Sequence, residues 1–195
     1  MMLNDVYIRH LALQGAIEPF DEDNLQPSSY DLTLSGKFVR QNGGLVIPQK
    51  SSTFDSVEEF DSDTFDLEPG DFILGSTIET VRIPPDHAAR FEGKSSLGRI
   101  GLCTHITAGF IDPGFMGTIT VELSNLGNST IRLWKGMKIG QICFFQLFSR
   151  ALRVYGEDSL ESHYQNQDGP TVSYFTDQSS NECIEMNSQN AKNRI

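Results

Sequence analysis

Short apolar runs, separated at even intervals by glycine and proline, fill the chain from residue 72 to residue 148. Runs of this kind predict strands rather than helices. With one earlier run, the predicted strands cover residues 30–40, 72–83, 87–92, 104–108, 117–125, 130–133 and 138–148. Many short, evenly spaced strands predict a mainly β domain, built as a sandwich or a barrel.

Helical patterns occur in two short places. Residues 4–13 predict an amphipathic helix, with Asn4 as its N-cap and Gly15 as its C-terminal stop. The sequence KSSLGRIG, residues 94–101, predicts a single helical turn between two strands.

Two polar segments predict little regular structure. Residues 51–69 are strongly acidic, which is typical of a solvated loop. From residue 176 the chain is polar and rich in asparagine and serine, which predicts a mobile tail. We therefore expect one domain over residues 1–175 and a tail over residues 176–195.

Composition narrows the possible partners and the location. A net charge of −11 argues against general binding of DNA or RNA, although a few local cations can still hold a small anion. No apolar run approaches the roughly 18 residues of a membrane span, and the first residues lack a secretory pattern. Cys103, Cys143 and Cys183 are widely spaced, with no sign of a disulfide framework. These features predict a cytoplasmic protein.

Two carboxylates are candidates for chemistry. In the predicted strand 117–125 the apolar residues alternate with polar ones, so Glu122 points away from the core, to solvent, a cleft or another subunit. Asp112 precedes Pro113 and Gly114, a strong turn signal. By these local patterns alone, each is either an ordinary surface carboxylate or a catalytic group.

The segment EGKSSLGR adds a candidate anion site. Two hydroxyls, two cations and the free N–H groups of a helical turn could cradle phosphate, although an ordinary capped turn fits as well. The H-x-E and P-C-x-x-C signature of zinc deaminases is absent, and the four histidines have no ligand spacing. A deaminase with this sequence would therefore need a zinc-free mechanism.

Three motifs in combination are specific: FEGKSSLGRIGL, THITAGFIDPGFMGTITVELSN and LWKGMKIGQICF. In this order and spacing they resemble the dCTP deaminase family of the dUTPase-like superfamily. The resemblance extends to QPSSYDLTL, EPGDFILGST and HYQNQDGPTVS, and it spans about residues 1–175. It implies a dUTPase-like distorted β-barrel or jelly roll with a short N-terminal helix, assembled as a homotrimer with active sites between subunits.

The resemblance also implies residue roles. Glu122 matches the catalytic acid and base, Asp112 matches the carboxylate near the sugar, and Ser95 and Arg99 match residues around the water and the base. The implied substrate-binding residues are Lys94, Ser96, Leu97, Gly98, Ala108, Thr120, Val121, Gln141, Tyr155, His163 and Gln167. His163 departs from the family, because many members have lysine there. Mg²⁺ is implied as a companion of the nucleotide triphosphate, with no ligand supplied directly by the protein.

The pair Gly109-Phe110 resembles that of members which both deaminate dCTP and cleave the triphosphate to leave dUMP. In such a chain Asp112 would also activate the water that attacks phosphorus. The resemblance further implies dCTP and dUTP as substrates and dTTP as a feedback inhibitor. Three alternatives stay open: a deaminase that stops at dUTP, a dUTPase alone, and a non-catalytic trimer that senses nucleotides.

Overall fold

The structure is a computed structural model that describes residues 1–48 and 51–177. Its described residues form two compact units, one of Met1–Val39 with Glu59–Thr171 and the other of Arg40–Glu58 with residues 172–177. The predicted tail begins within a short helix, Tyr174–Asp177, and its remaining residues, 178–195, lie outside the described part.

The chain is mainly β, as predicted. The strands are β1 (Ile17–Glu18), β2 (Leu25–Gln26), β3 (Ser29–Asn42), β4 (Leu45–Ile47), β5 (Ser51–Thr53), β6 (Ser56–Asp61), β7 (Thr64–Leu67), β8 (Phe72–Arg82), β9 (His87–Glu92), β10 (Leu102–Cys103), β11 (Phe110–Ile111), β12 (Met116–Asn125), β13 (Ile131–Trp134) and β14 (Lys138–Gln146). The α-helices are α1 (Asp5–Leu11), α2 (Ser95–Gly98) and α3 (Tyr174–Asp177), and single 3₁₀ turns cover Glu22–Asn24 and Asp158–Leu160.

One antiparallel sheet organises the larger unit. Its strands follow the order β10-β12-β8-β3-β14-β9-β11, with β1 added beside β8 and β2 beside β3. Strand β13 pairs with β7 in a separate ribbon. No helix among the described residues has the length and apolarity needed to cross a membrane.

The alternation of β12 builds the core as predicted. Ile119, Val121 and Leu123 are buried on the inner face, while Thr120 and Glu122 are only half-buried on the other. Thr118 is also buried, because a later segment of the chain covers that end of the strand. The polar face of β12 is thus a partly covered surface.

The predicted strand 104–108 was wrong. Strand β10 ends at Cys103, strand β11 begins at Phe110, and no strand lies between them. Thr107 has φ of +62°, in the left-handed region, and a ladder requires extended backbone. The short apolar run in this stretch predicted a strand, but the backbone bends there instead.

The predicted acidic loop 51–69 was also wrong, since strands β5, β6 and β7 fall within it. Phe60 and Phe65 stack near Phe38, at centroid distances of 5.6 and 5.3 Å. Acidic residues take outward positions, and Asp66 accepts two hydrogen bonds of 2.7 Å from Arg132, which lower the pKa of the Asp66 carboxyl. The charge run is the outer face of strands whose aromatic residues enter the core.

Both helical predictions are confirmed, with different bounds. The side chain of Asn4 caps α1 by accepting from the N–H of Tyr7 at 3.3 Å. Helix α1 ends at Leu11 and widens into a π-type turn over Ala12–Ala16, where Gly15 has φ of +90°. The turn at KSSLGRIG is α2, with Lys94 as its N-cap residue.

The second unit contains a small hairpin. Strands β4 and β5 pair antiparallel, with Leu45 opposite Thr53 and Ile47 opposite Ser51. The N–H of Asp55 donates to the carbonyl of Asn42 at 2.9 Å. In the same unit the rings of Tyr174 and Phe175 lie 4.3 Å apart.

Side chains of β8 fill two irregularities in the main sheet. Where the β12–β8 register shifts, the N–H of Ile119 donates to Oγ1 of Thr77 at 2.9 Å. Close to the shift between β3 and β8, Glu79 accepts from the N–H of Thr33 at 2.9 Å and from its hydroxyl at 2.8 Å. Burial raises the pKa of Glu79, and the two hydrogen bonds from Thr33 act in the opposite direction.

Replacing Glu79 tests this bulge. We expect Glu79→Ala to lower the free energy of unfolding by about 2–4 kcal/mol, because it leaves a cavity in place of a buried side chain and removes the acceptor of the half-buried Thr33 N–H. Glu79→Gln keeps the shape and an acceptor, so near neutral pH its cost should stay within about 1 kcal/mol. Urea unfolding of both variants and the wild type measures these differences.

The same variants test the charge of Glu79. Since its folded pKa is raised, its favourable contribution is complete below the ordinary value of 4.5 and is lost as the pH rises through the folded value. Glu79→Gln should therefore gain stability relative to the wild type between pH 4.5 and pH 8. A constant difference across that range would show that Glu79 does not titrate as its burial implies.

Candidate active site

Glu122 is held against the loop that joins β10 to β11. One carboxylate oxygen of Glu122 accepts a hydrogen bond from the N–H of Ile106. Two residues further on, Ala108 is exposed, and Thr107 between them has the left-handed φ noted above. A β-branched residue is costly in that conformation, and such strain tends to occur at functional sites. The carboxylate and exposed loop backbone therefore lie together, as the implied roles of Glu122 and Ala108 require.

His105 anchors the start of this loop, which the sequence did not indicate. Its ring meets Phe91 edge to face at 5.9 Å, and its Nε2 lies 3.8 Å from a carboxylate oxygen of Glu92. The thiol of Cys103 donates to the carbonyl of His105 at 3.0 Å. Nδ1 of His105 is buried without a partner among the described residues.

The end of the loop depends on Gly109. The N–H of Phe91 donates to the carbonyl of Gly109 at 2.7 Å. A Cβ atom on Gly109 would lie 2.4 Å from the carbonyl oxygen of Phe91, closer than real contacts allow. Phe110 follows in β11 opposite Arg90 and is exposed. Glycine at position 109 thus lets the loop join the sheet edge.

Asp112 stands on the predicted turn, and its side chain is exposed. The carbonyl of Asp112 accepts from the N–H of Phe115 at 3.2 Å, and Gly114 has φ of +91°. Proline at the second position and a glycine with positive φ at the third are the pattern of a type II turn. Among the described residues, the Asp112 carboxylate makes no hydrogen bond or ion pair.

A segment near the end of the described chain covers one end of β12. We call residues 164–171 the strap. Gln167 donates from Nε2 to the carbonyl of Thr118 at 2.6 Å, and its own carbonyl accepts from the N–H of Thr118 at 3.0 Å. Further along, the N–H of Thr171 donates to the hydroxyl of Thr120 at 3.1 Å. The strap is therefore bonded to the strand that carries Glu122.

The other predicted residues of this region have structural contacts here. The hydroxyl of Tyr155 accepts from the N–H of Tyr164 at 3.0 Å, and its ring packs on Phe115. His163 is exposed beside the ring of Tyr164. Val121 is fully buried, so only its backbone could contact a ligand.

Helix α2 presents the predicted polar residues at the surface. Ser95, Ser96, Gly98 and Arg99 are exposed, and Leu97 is half-buried against the core. Gln141 lies just behind this segment: it accepts from the hydroxyl of Ser29 at 2.7 Å and donates to the carbonyl of Gly93 at 3.2 Å. Gln141 thus fixes the chain immediately before Lys94.

Asp31 contacts two of the cations near α2. The sequence did not indicate this role, although Asp31 lies in the motif QPSSYDLTL. Its side chain is 3% exposed. It accepts from Nζ of Lys94 at 2.5 Å and from Gln26 at 3.3 Å, and Nζ of Lys138 lies 3.4 Å away. Two ammonium groups share one buried carboxylate, so positive charge remains beside α2.

Grooves open on two sides of α2. One of about 380 Å³ is lined by residues that include Lys94, Cys103, Thr104 and His105. The other, of about 740 Å³, is lined by Arg99, Arg132 and the chain between Gly127 and Ile131. Both are wide enough for part of a small ligand.

The predicted site residues thus form two groups. Glu122, Asp112, the loop and the strap are joined by β12, whereas Lys94, Ser95, Arg99 and Gln141 surround α2. Within residues 1–48 and 51–177, neither the Glu122 nor the Asp112 carboxylate makes a hydrogen bond or ion pair with a side chain of the second group. The first group offers carboxylates for proton transfer, and the second offers cations and hydroxyls for an anion.

The described residues contain no group of three or more His, Cys, Asp or Glu side chains that could hold a metal ion. The donors around α2 are cationic, which suits phosphate oxygens.

Comparison with known proteins places these residues in context. The dCTP deaminase-like family profile matches residues 2–147. The "dCTP deaminase, dUMP-forming" of Tropheryma whipplei (strain Twist) is 52% identical over 182 residues, covering 89% of this chain and 92% of that protein. The protein of the same name from Mycobacterium avium (strain 104) is 49% identical over 180 residues, covering 89% and 95%.

A solved structure agrees with the fold. The crystal structure of 2'-deoxycytidine 5'-triphosphate deaminase from Agrobacterium tumefaciens matches with a TM-score of 0.60 and 25% identity. The match covers 73% of this chain and 47% of that one, so this chain corresponds to about half of that protein.

Adding one methyl group at position 109 tests the loop. Gly109→Ala should cost roughly 1–3 kcal/mol of stability, because the new Cβ must displace the carbonyl of Phe91. Gly98→Ala is the matched control: a Cβ there meets nothing within 4 Å, so that helical position should be neutral or gain up to about 1 kcal/mol. Equal melting temperatures for the two variants would show that the loop does not need glycine at 109.

Proposed function

This chain belongs to the dCTP deaminase-like family, and on that premise we propose that it converts dCTP and two water molecules into dUMP, pyrophosphate and ammonia. The single observation that carries the proposal is the arrangement along β12. Glu122 is bonded to the loop backbone at one end, and Asp112 is exposed on a rigid turn at the other. Two carboxylates in such different surroundings suit two different steps.

In the first step Glu122 acts as acid and base. It takes a proton from water, whose oxygen adds to C4 of cytosine, and passes the proton to N3. The bond between C4 and the exocyclic nitrogen then breaks, and ammonia leaves with the help of the same carboxylate. Positioned proton transfer of this kind contributes roughly 10²–10⁴-fold. Exposed backbone near Ala108 would hold the water and the amino group.

In the second step Asp112 orients or deprotonates a second water, which attacks the α-phosphorus. A new phosphorus–oxygen bond forms, the bond to the bridging oxygen breaks, and pyrophosphate leaves. Asp112 suits this role because its carboxylate is exposed and free of protein partners in the described chain, while its backbone is firmly held. The main contribution to the rate of this step would come from holding the Asp112 carboxylate close to the water and the phosphate.

The α2 region binds the triphosphate in this proposal. Lys94, Ser96, Leu97 and Gly98 lie along the phosphates, and Ser95 and Arg99 reach the reacting water and the base. Mg²⁺ bound with the triphosphate would neutralise part of its charge. Lys138 is an added cation, brought beside Lys94 by Asp31.

We further propose that the two groups of site residues meet between subunits of a homotrimer. This proposal is supported by the observation that, in the described chain, no hydrogen bond or ion pair joins a side chain of α2 to the carboxylate of Glu122 or Asp112. Each site would then take its carboxylates from one subunit and its cations from another. Gln167, Tyr155 and His163 would approach the nucleotide from the strap and the chain around it.

The proposal also covers feedback inhibition and cellular location. dTTP shares the deoxyribose and the triphosphate with the substrate, so it is the expected feedback inhibitor. A cytoplasmic location agrees with Cys103 and Cys143, which are free thiols.

The decisive experiment follows nucleotides over time. Purified protein is incubated with dCTP and Mg²⁺, and products are separated by anion exchange. We expect dUMP and pyrophosphate without accumulation of dUTP. If dUTP accumulates as the end product, the chain is a deaminase alone. If dCTP persists while dUTP is cleaved, it is a dUTPase, and if neither changes, a nucleotide sensor becomes the better explanation.

Glu122→Gln isolates the first step. Glutamine keeps the shape but cannot take a proton, so deamination should fall by at least about 10²-fold. Binding of dCTP, measured by calorimetry, should stay within about threefold of the wild type. If subunits share sites, mixing this variant with Arg99→Ala subunits should restore part of the activity. Near-normal turnover by Glu122→Gln alone would remove Glu122 from the mechanism.

Asp112→Asn isolates the second step. We expect dUTP to accumulate from dCTP, with dUMP formation reduced by roughly 10²-fold or more, because asparagine cannot accept the proton of the attacking water. Deamination in the same tube serves as the internal control. Unchanged release of dUMP would show that another group activates that water.

A further inference from the structure

The turn that carries Asp112 has an unusually complete set of hydrogen bonds. The carbonyl of Pro113 accepts from Tyr155 at 2.7 Å, and the N–H and carbonyl of Gly114 both have partners. The same holds for both backbone groups of Phe115 and of Met116. Every backbone polar group from the carbonyl of Asp112 to that of Met116 is therefore paired.

Gln165 supplies two of these bonds with one side chain. Its Nε2 donates to the carbonyl of Gly114 at 3.0 Å, and its Oε1 accepts from the N–H of Met116 at 3.1 Å. The amide bridges the turn as a neighbouring strand would. Glycine at position 156 leaves room for this amide, since a Cβ there would lie 2.6 Å from Nε2 of Gln165.

We infer that Gln165 is a positioning residue for triphosphate cleavage: its amide holds the turn so that Asp112 faces the α-phosphorus. This inference rests on the proposed function, in which Asp112 serves the second step. Gln165 itself need not touch the nucleotide, because its amide is already occupied by backbone groups of the turn.

The geometry separates the two steps. Gly114 is two residues from Asp112, so motion of the turn reaches that carboxylate directly. Glu122 lies six residues beyond Met116, about 20 Å along an extended strand. Between them β12 pairs with β8, and Gln167 holds Thr118 independently. A disturbance at Gln165 should therefore displace Asp112 and leave Glu122 in place.

The expected effect is large for one step and small for the other. Removing the amide frees the carbonyl of Gly114 and the N–H of Met116. A shift of about 1 Å at a reacting group can cost up to roughly 10²-fold in rate. For Gln165→Ala we expect the kcat for dUTP cleavage to fall about 10- to 100-fold, and the kcat for dCTP deamination to change less than about threefold.

The experiment measures kcat and KM for both steps in four proteins. dUTP is supplied directly for the cleavage step, and ammonia release from dCTP reports deamination. The variants are Gln165→Ala, Gln165→Glu and the matched control Gln14→Ala, a glutamine outside the candidate site. Glutamate keeps the acceptor for the N–H of Met116 but loses the donor to the carbonyl of Gly114. The Gln165→Glu variant should therefore also have a lower kcat for cleavage. The Gln165→Glu variant also tests the inference if Gln165→Ala does not fold. Gln14 is exposed and its amide nitrogen lies 3.1 Å from Nε2 of His10, so truncating this side chain should leave both rates unchanged.

The outcomes are distinct. A fall in kcat for cleavage alone, with KM little changed, supports the inference. A rise in KM with normal kcat, equal losses in both steps, or no loss in cleavage would overturn it, since Gln165 would then serve binding or stability. If wild-type protein cleaves neither dUTP nor its own deamination product, the second step of the proposed function is wrong, and the inference is wrong with it.

Discussion

The antiparallel pairing of β12 with β8 is the constraint on which the rest of this molecule depends. It runs from Met116 opposite Arg82 to Ser124 opposite Phe72, with a single shift in register. Because side chains alternate across a strand, this pairing sends Val121 and Leu123 into the core and leaves Glu122 on the other face. The Asp112 turn, the loop at Glu122 and the strap all take their positions from this strand.

Polar side chains supply hydrogen bonds at three places where the backbone ladder is interrupted or ends. Thr77 and Glu79 serve two irregular places beside β8, and Gln165 serves the turn before β12. Each supplies partners to buried or half-buried backbone groups that would otherwise lose free energy on leaving water. The same kind of interaction thus stabilises the fold and sets the backbone of the turn that carries Asp112, the carboxylate proposed for triphosphate cleavage.

The charged side chains are unevenly distributed over the molecule. The chain is strongly acidic overall, yet Lys94, Lys138 and Arg99 lie near α2, with two of them sharing the buried Asp31. A triphosphate would meet local positive charge there, while Glu122 lies on β12 and Asp112 on the turn that precedes it. In the described chain, no hydrogen bond or ion pair joins these three cations to the Glu122 or Asp112 carboxylate. A site assembled from two subunits would bring them together only across a bound nucleotide.

The sequence alone determined the mainly β class, the apolar face of β12, the Asp112 turn and the helical turn at KSSLGR, because these depend on local periodicity and on proline and glycine chemistry. It also carried the family motifs, on which the proposed roles of Glu122, Asp112 and Arg99 rest. It misplaced the strand at 104–108 and took the acidic segment for a loop. There, a left-handed Thr107 and the packing of Phe60 and Phe65 on Phe38 decide the outcome. Only the tertiary structure showed that Asp31 joins two lysines, that Gly109 must lack a side chain beside Phe91, and that Gln165 spans the Asp112 turn. Each of these contacts joins residues far apart in the chain, and local patterns carry no information about which distant groups will meet.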